Sequence, residues 1–350
     1  MLLPSMRIYN QILNVYFNFL TLTKQLTLIC LITVFINGFH NKSDAQETSF
    51  FEPLDTFSTK RFYPLAGTGL AVYTGAVIAL DQAWYANQPR GRFRFYNDWP
   101  EWKQMDKFGH SMTAYYEADV IYKGARWTGM SKTNALISSA AIASALQLTI
   151  EVMDGFVETY GFSWYDVAFN TLGVGLFTLQ EALWDNQVFV MKFSTRAMAY
   201  DRQPIQAING DHFSSPYKRA NDLYGTFFAE RWLKDYNGQT YWLSTFPNQF
   251  IPEEKRFAPD WLGLSIGYGA GNMFGGQTNR WREGDYIFDL SNTFPRYRSY
   301  YLSLDIDLNK LNVKSKFLRS LFSVINFIKI PFPTLEYNRI DGWRGHWLYF

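Results

Sequence analysis

Apolar positions recur at helical spacing in the first half of the chain and alternate in the second. Residues 64–80 carry no charge, and Gly67, Ala71, Gly75 and Ala79 recur at every fourth position. That spacing predicts a helix whose backbone can approach another closely. A second helix is predicted over 106–123, where Glu117, Asp119 and Lys123 argue against a simple lipid-facing span. A charge-free third helix over 133–150 has Ser131 as its N-cap and Gly155 as its stop. The fourth begins near Ser163 and runs to Trp184, with Asp166 in its first turns, where a carboxylate complements the helix dipole.

From residue 186 the period changes. Leu262, Leu264, Ile266, Tyr268 and Ala270 interleave with glycine and serine, and Leu302, Leu304, Ile306 and Leu308 interleave with Ser303, Asp305 and Asp307. Period two with one apolar face and one small or polar face predicts strands of a sandwich or a membrane barrel. Further strands are predicted at 188–194, 240–246, 285–290, 333–340 and 343–350, and an amphipathic helix at 314–327. The expected fold class is α+β: a helical bundle module at 60–185, then a β-rich module at 186–350. The latter is either a soluble domain or a small outer-membrane-type barrel, although its strand candidates fall just short of the eight that the smallest such barrels use.

Residues at i, i+4, i+7 and i+11 share a helix face. Asp106, His110, Thr113 and Glu117 therefore form one polar stripe, Gln147, Glu151 and Asp154 a second, and Asp166, Asn170 and Gly173 a third. Packed together, the stripes would gather Asp106, His110, Glu117, Glu151, Asp154, Asp166 and Asn170. His110 with these carboxylates offers the ligand types for a divalent metal, and equally a pair for acid-base work. A buried polar network that fixes helix register would use the same residue types. No HExxH spacing accompanies them, and no cofactor is assigned. His212 and His346 have no carboxylate constellation nearby in sequence.

Composition adds an address. The formal charge is +2 and no Lys/Arg run stands out, which argues against nucleic acid as a partner. Aromatic residues make up 19% of the chain, and Tyr and Trp favour bilayer interfaces. Lys24, the apolar run 26–35 and the small residues Ser43 and Ala45 predict a signal peptide over 1–45, with the mature chain starting at Gln46. Cys30 is the single cysteine; the bulky Ile29 before it argues against a lipidated acceptor. The terminal Phe350 resembles the assembly signal of bacterial outer-membrane proteins.

The series Asp106-Lys107-x-x-His110, then Glu151 ending an apolar helix, then Asp166-x-x-x-Asn170-x-x-Gly173 resembles the pattern of VanZ-like membrane proteins and, more closely, the YfiM-like family of predicted periplasmic proteins. Asp154 stands where the VanZ-like pattern tends to have Gln, and the charged second helix departs from a four-span membrane bundle. The latter departure favours the periplasmic relative. The resemblance implies that Asp106, Lys107, His110, Glu151, Asp166, Asn170 and Gly173 matter together, and it implies no reaction. Two functions are therefore expected to compete. One is a non-enzymatic component of a Gram-negative-type envelope, exported to the outer membrane or periplasm, that binds a lipid or peptide ligand or a partner protein at the helical polar cluster. The other is a metal- or acid-base-dependent hydrolase of envelope lipids or glycans.

Overall fold

The structure, a computed structural model, describes residues 50, 52–86, 88–256 and 258–350; the expected leader lies outside them. The chain divides into two compact units. The first runs up to Asn97 and takes in Thr113–Leu183, and the second is Asp98–Met112 with Trp184–Phe350.

The first unit is helical. It holds α1 (Thr59–Leu80), most of α2 (Met105–Trp127), α3 (Lys132–Gly155) and α4 (Trp164–Trp184). The Ser131 hydroxyl caps α3 by accepting from the Asn134 N–H at 3.4 Å, and the Ser163 hydroxyl accepts from the Asp166 N–H at 3.1 Å. Gly129 ends the turn after α2 at φ +85°; a Cβ there would lie 2.0 Å from the Thr56 carbonyl oxygen. Polar residues share the buried helix faces with apolar ones. The buried stripe of α3 includes Ser139, Gln147 and Glu151, and that of α4 includes Asp166, Asn170 and Gln180. Ile137, Leu148, Leu172, Leu179 and Leu183 are exposed, and α1 buries no residue. Among the described residues two helices, α1 and α3, are long and apolar enough to cross a membrane.

The second unit is built on an antiparallel sheet of six strands: β1 (Phe189–Thr195), β4 (Gln239–Thr245), β5 (Leu262–Gly271), β8 (Tyr297–Ile306), β9 (Phe332–Asn338) and β10 (Gly342–Tyr349), hydrogen-bonded in that order. The alternation read at 262–270 and 302–308 becomes its central pair, with Leu264 opposite Leu304 and Ile266 opposite Leu302. Among the described residues the six strands form an open sheet and do not close into a barrel. β2 (Ile205–Gln206) and β3 (Phe213–Ser214) pair with each other outside this sheet, and the segment at 285–290 also leaves it. Its strand β7 (Tyr286–Asp289) pairs with β6 (Arg280–Glu283), and their hairpin packs Trp281 and Phe288 with Ala207, Phe274 and Leu290 in a separate apolar cluster. The predicted helix at 314–327 is present as Lys316–Ile325, with Phe317, Leu318, Leu321 and Val324 exposed.

The main sheet is inside out. Leu264, Ile266, Leu302, Leu304 and Leu335 point outward and are exposed. Next to them Tyr268, Tyr300, Tyr337 and Trp343 stand opposite one another across β5, β8, β9 and β10, with ring centroids 5.8 Å apart for Tyr268 and Tyr300 and 4.9 Å for Tyr337 and Trp343. The opposite face carries the buried Ser244, Ser265, Ser303 and Thr334 in one cross-strand row. Trp242, Tyr301 and Tyr349 form a buried aromatic cluster. Gly267 makes room for the Trp242 ring, which a Cβ at that position would approach to 2.6 Å.

Candidate functional site

Five of the seven candidate residues lie in the first unit. Glu151, with no exposed surface, accepts from the backbone N–H of Ser163 at 3.4 Å. It thus ties the end of α3 to the cap of α4, and Asp166, also buried, sits one turn inside that cap. Asn170 follows a turn later on the same buried stripe. The Gln147 amide donates to Glu117 at 2.9 Å and links α2 to α3. Asp154 is partly exposed and accepts a hydrogen bond from the Tyr85 hydroxyl; burial first, and then this carboxylate, raise the pKa of that hydroxyl. Thr113 is exposed, because the buried face of α2 is carried instead by Ala114, Tyr115, Ala118, Asp119 and Tyr122.

Asp106 and His110 belong to the second unit with the start of α2. Lys107 is fully buried there and pairs with Asp98 at 2.5 Å and Asp106 at 2.7 Å. Asp106 is thereby held by a cation of its own helix. His110, one turn on, is half-buried.

The second unit holds charged groups that the sequence did not single out. Inside the sheet Lys192 and Asp305 pair at 3.2 Å with no exposed side-chain surface. Lys329 approaches the other Asp305 oxygen at 3.7 Å, and the Ser244 hydroxyl donates to Asp305 at 2.6 Å. Burial is the main cause that lowers the Lys329 ammonium to about 8, and Asp305 only partly offsets it. Nearer the open edge, Glu336 and His346 Nε2 lie 2.7 Å apart, and Glu336 also accepts from Ser299 at 2.7 Å. The signal for the first group was Lys192 inside the apolar run 188–194. Its partners are far along the chain, and only the sheet register brings them together.

The fold and the inward-facing polar groups define the class first: an α+β chain whose helical unit has buried carboxylates and an outward apolar surface. The family described as "Predicted periplasmic lipoprotein (DUF2279)" matches residues 96–182, a stretch containing α2, α3 and nearly all of α4. No curated protein and no solved structure matches the chain. The chain is accordingly an exported protein of the envelope, in the periplasm or at the outer membrane. The match supports the periplasmic side of the resemblance drawn from the motifs; it does not carry the YfiM-like or VanZ-like names. The lipoprotein description of that family fits membrane association.

Proposed function

We propose that the protein is a non-enzymatic component of the outer membrane, with its sheet facing lipid, and that the buried polar stripes of its helical unit bind a lipid or peptide ligand. One observation carries the membrane half of this reading: the aliphatic rows of the sheet lie outward beside a row of Tyr268, Tyr300, Tyr337 and Trp343, while serines and paired charges lie inward. An apolar band bordered by aromatics is what a strand surface in contact with a bilayer carries. Water would favour the opposite arrangement. The ligand half is supported by Glu117, Glu151, Asp154 and Asp166, because ionisable groups inside a surface of leucine and isoleucine are costly to keep unless they hold something, and by Asn170, a neutral amide on the same buried stripe as Asp166.

Fractionation tests the first half: the full chain is expected to sediment with outer membranes and to resist carbonate extraction. Recovery in the soluble periplasmic fraction would refute it. For the second half, Glu151→Gln and Asp166→Asn are compared for melting temperature and for complementation of a deletion strain. A ligand role predicts that Glu151→Gln loses complementation with nearly unchanged stability. Full complementation by Glu151→Gln removes the helical site.

A further inference from the structure

We propose that Lys103, Arg296, Arg298 and Arg339, in the second unit, form a binding site for a phosphate group, and that its source is the headgroup of an envelope lipid. The site is built where three turns of chain meet. Trp102, Lys103 and Gln104 have φ values of 45°, 55° and 66°, a left-handed turn without glycine. It is fixed by the Trp102 N–H donating to the Gly276 carbonyl at 2.7 Å and by the Tyr268 hydroxyl donating to the Lys103 carbonyl. Arg296 reaches the same Gly276 carbonyl through Nη2 at 2.5 Å. Arg298 donates to the Gln104 side-chain oxygen at 2.6 Å and to the Tyr268 hydroxyl at 2.9 Å. Arg339 donates to the Arg296 carbonyl at 2.8 Å.

Each arginine is therefore oriented by neutral oxygens, and among the described residues none of the four cations forms an ion pair with a carboxylate. Arg296 is the decisive member. Only 9% of its surface is exposed, and its buried Nε and Nη1 have no hydrogen-bond acceptor among the described residues. Buried donors are almost always satisfied in folded proteins, so two on one guanidinium call for an acceptor that the described residues do not supply. The electrostatics agree. Burial, then Arg298, Arg296 and Arg339, hold the Lys103 ammonium below its ordinary range, so the four cations act on one another. Glu101 is the carboxylate that acts on Arg296, which leaves an excess of positive charge. A phosphate group offers several anionic oxygens to such a set, and the planar guanidinium fork matches it bidentately.

Position identifies the source, and this step rests on the sheet facing lipid. Arg298 is two residues before Tyr300 on β8, and Arg339 two residues after Tyr337, just beyond β9. At the rise of a strand, the cations stand roughly 7 Å past the aromatic row, on the side away from the aliphatic rows. That is headgroup level.

The test is calorimetric titration of the detergent-solubilised full chain with inorganic phosphate and, separately, with dihexanoyl phosphatidic acid; dihexanoyl phosphatidylcholine is the control. Saturable binding of phosphatidic acid is expected, weakened roughly tenfold or more by Lys103→Gln and by Arg298→Gln, as the loss of a charge-assisted hydrogen bond predicts. Lys218→Gln, in a surface ion pair elsewhere, should bind like the parent. Absence of binding to both phosphates, or unchanged binding in Lys103→Gln and Arg298→Gln, overturns the site. Phosphate and phosphatidic acid binding equally well would keep the site and overturn the lipid source. A chain that binds phosphate yet fractionates as soluble overturns the membrane reading, and with it the lipid source, and keeps the site.

Discussion

Asp305→Asn keeps the size of the side chain and removes the charge between Lys192 and Lys329. All three groups are at most 1% exposed, so neither ammonium can turn to water when the carboxylate is lost. The Lys192 contact at 3.2 Å is the main ion pair, and the Ser244 hydrogen bond at 2.6 Å is charge-assisted. Removing one partner of a buried pair costs about 3–5 kcal/mol. For a unit of this size that corresponds to a fall in melting temperature of roughly 6–20 °C, at about 2–4 °C per kcal/mol. Trp242, whose ring lies 5.1 Å from the Lys329 ammonium, supports a fluorescence-detected thermal melt in detergent. The deficit should also shrink as pH rises from 7 towards 10, since deprotonating Lys329 relieves the unpaired charge. A melting temperature within about 3 °C of the parent, worth roughly 1 kcal/mol, would refute the view that this carboxylate holds the sheet's interior charges.

Other outcomes follow from local geometry. Lys329 titrates at about 8 in the folded chain and near 10.5 when unfolded, so between those values the unfolded state binds more protons and stability rises with pH. This pH-dependent gain should be measurable by thermal melts and absent in Lys329→Met. Gly129→Ala meets both a left-handed backbone and the Thr56 carbonyl; it should destabilise the first unit by at least about 1–2 kcal/mol, seen as an earlier thermal transition. At Glu283 burial raises the carboxyl, but hydrogen bonds from Lys218, Ser214 and Trp281 prevail and hold it at about 2. Its contribution is present above the ordinary carboxylate range and lost only as pH falls towards 2. A pH titration followed by NMR should therefore show no Glu283 midpoint near 4.5.

The helices were legible because a period near 3.6 and the capping serines act locally. Ser131 and Ser163 cap where their sequence context predicts. The outward rows of the sheet were legible in the same way, as alternation at 262–270 and 302–308. Register was not. That Tyr268, Tyr300, Tyr337 and Trp343 stand side by side depends on pairing among four strands, and a shift of one residue would turn each of them inward. The assignment of Asp98–Met112 to the second unit was equally hidden, since it lies in part within the helix that continues into the first. The left-handed run Trp102–Gln104 carried no signal either, because the residues that usually mark positive φ are glycine, asparagine and aspartate. Of the candidate site, the residue types and the buried stripes of α3 and α4 could be read from spacing, whereas the Glu151 contact to the cap of α4 required the turn between them.

An inverted sheet changes what water does to the newly exported chain. Hydrophobic collapse, which drives a soluble domain towards its native topology, would here drive Leu264, Ile266, Leu302 and Leu335 together and push Ser244, Asp305 and Lys329 out, the reverse of the native facing. On the proposed lipid-facing reading, water is a misfolding solvent for this sheet, and its strands would have to be kept from collapsing until a membrane supplied the solvent in which their pattern is the stable one.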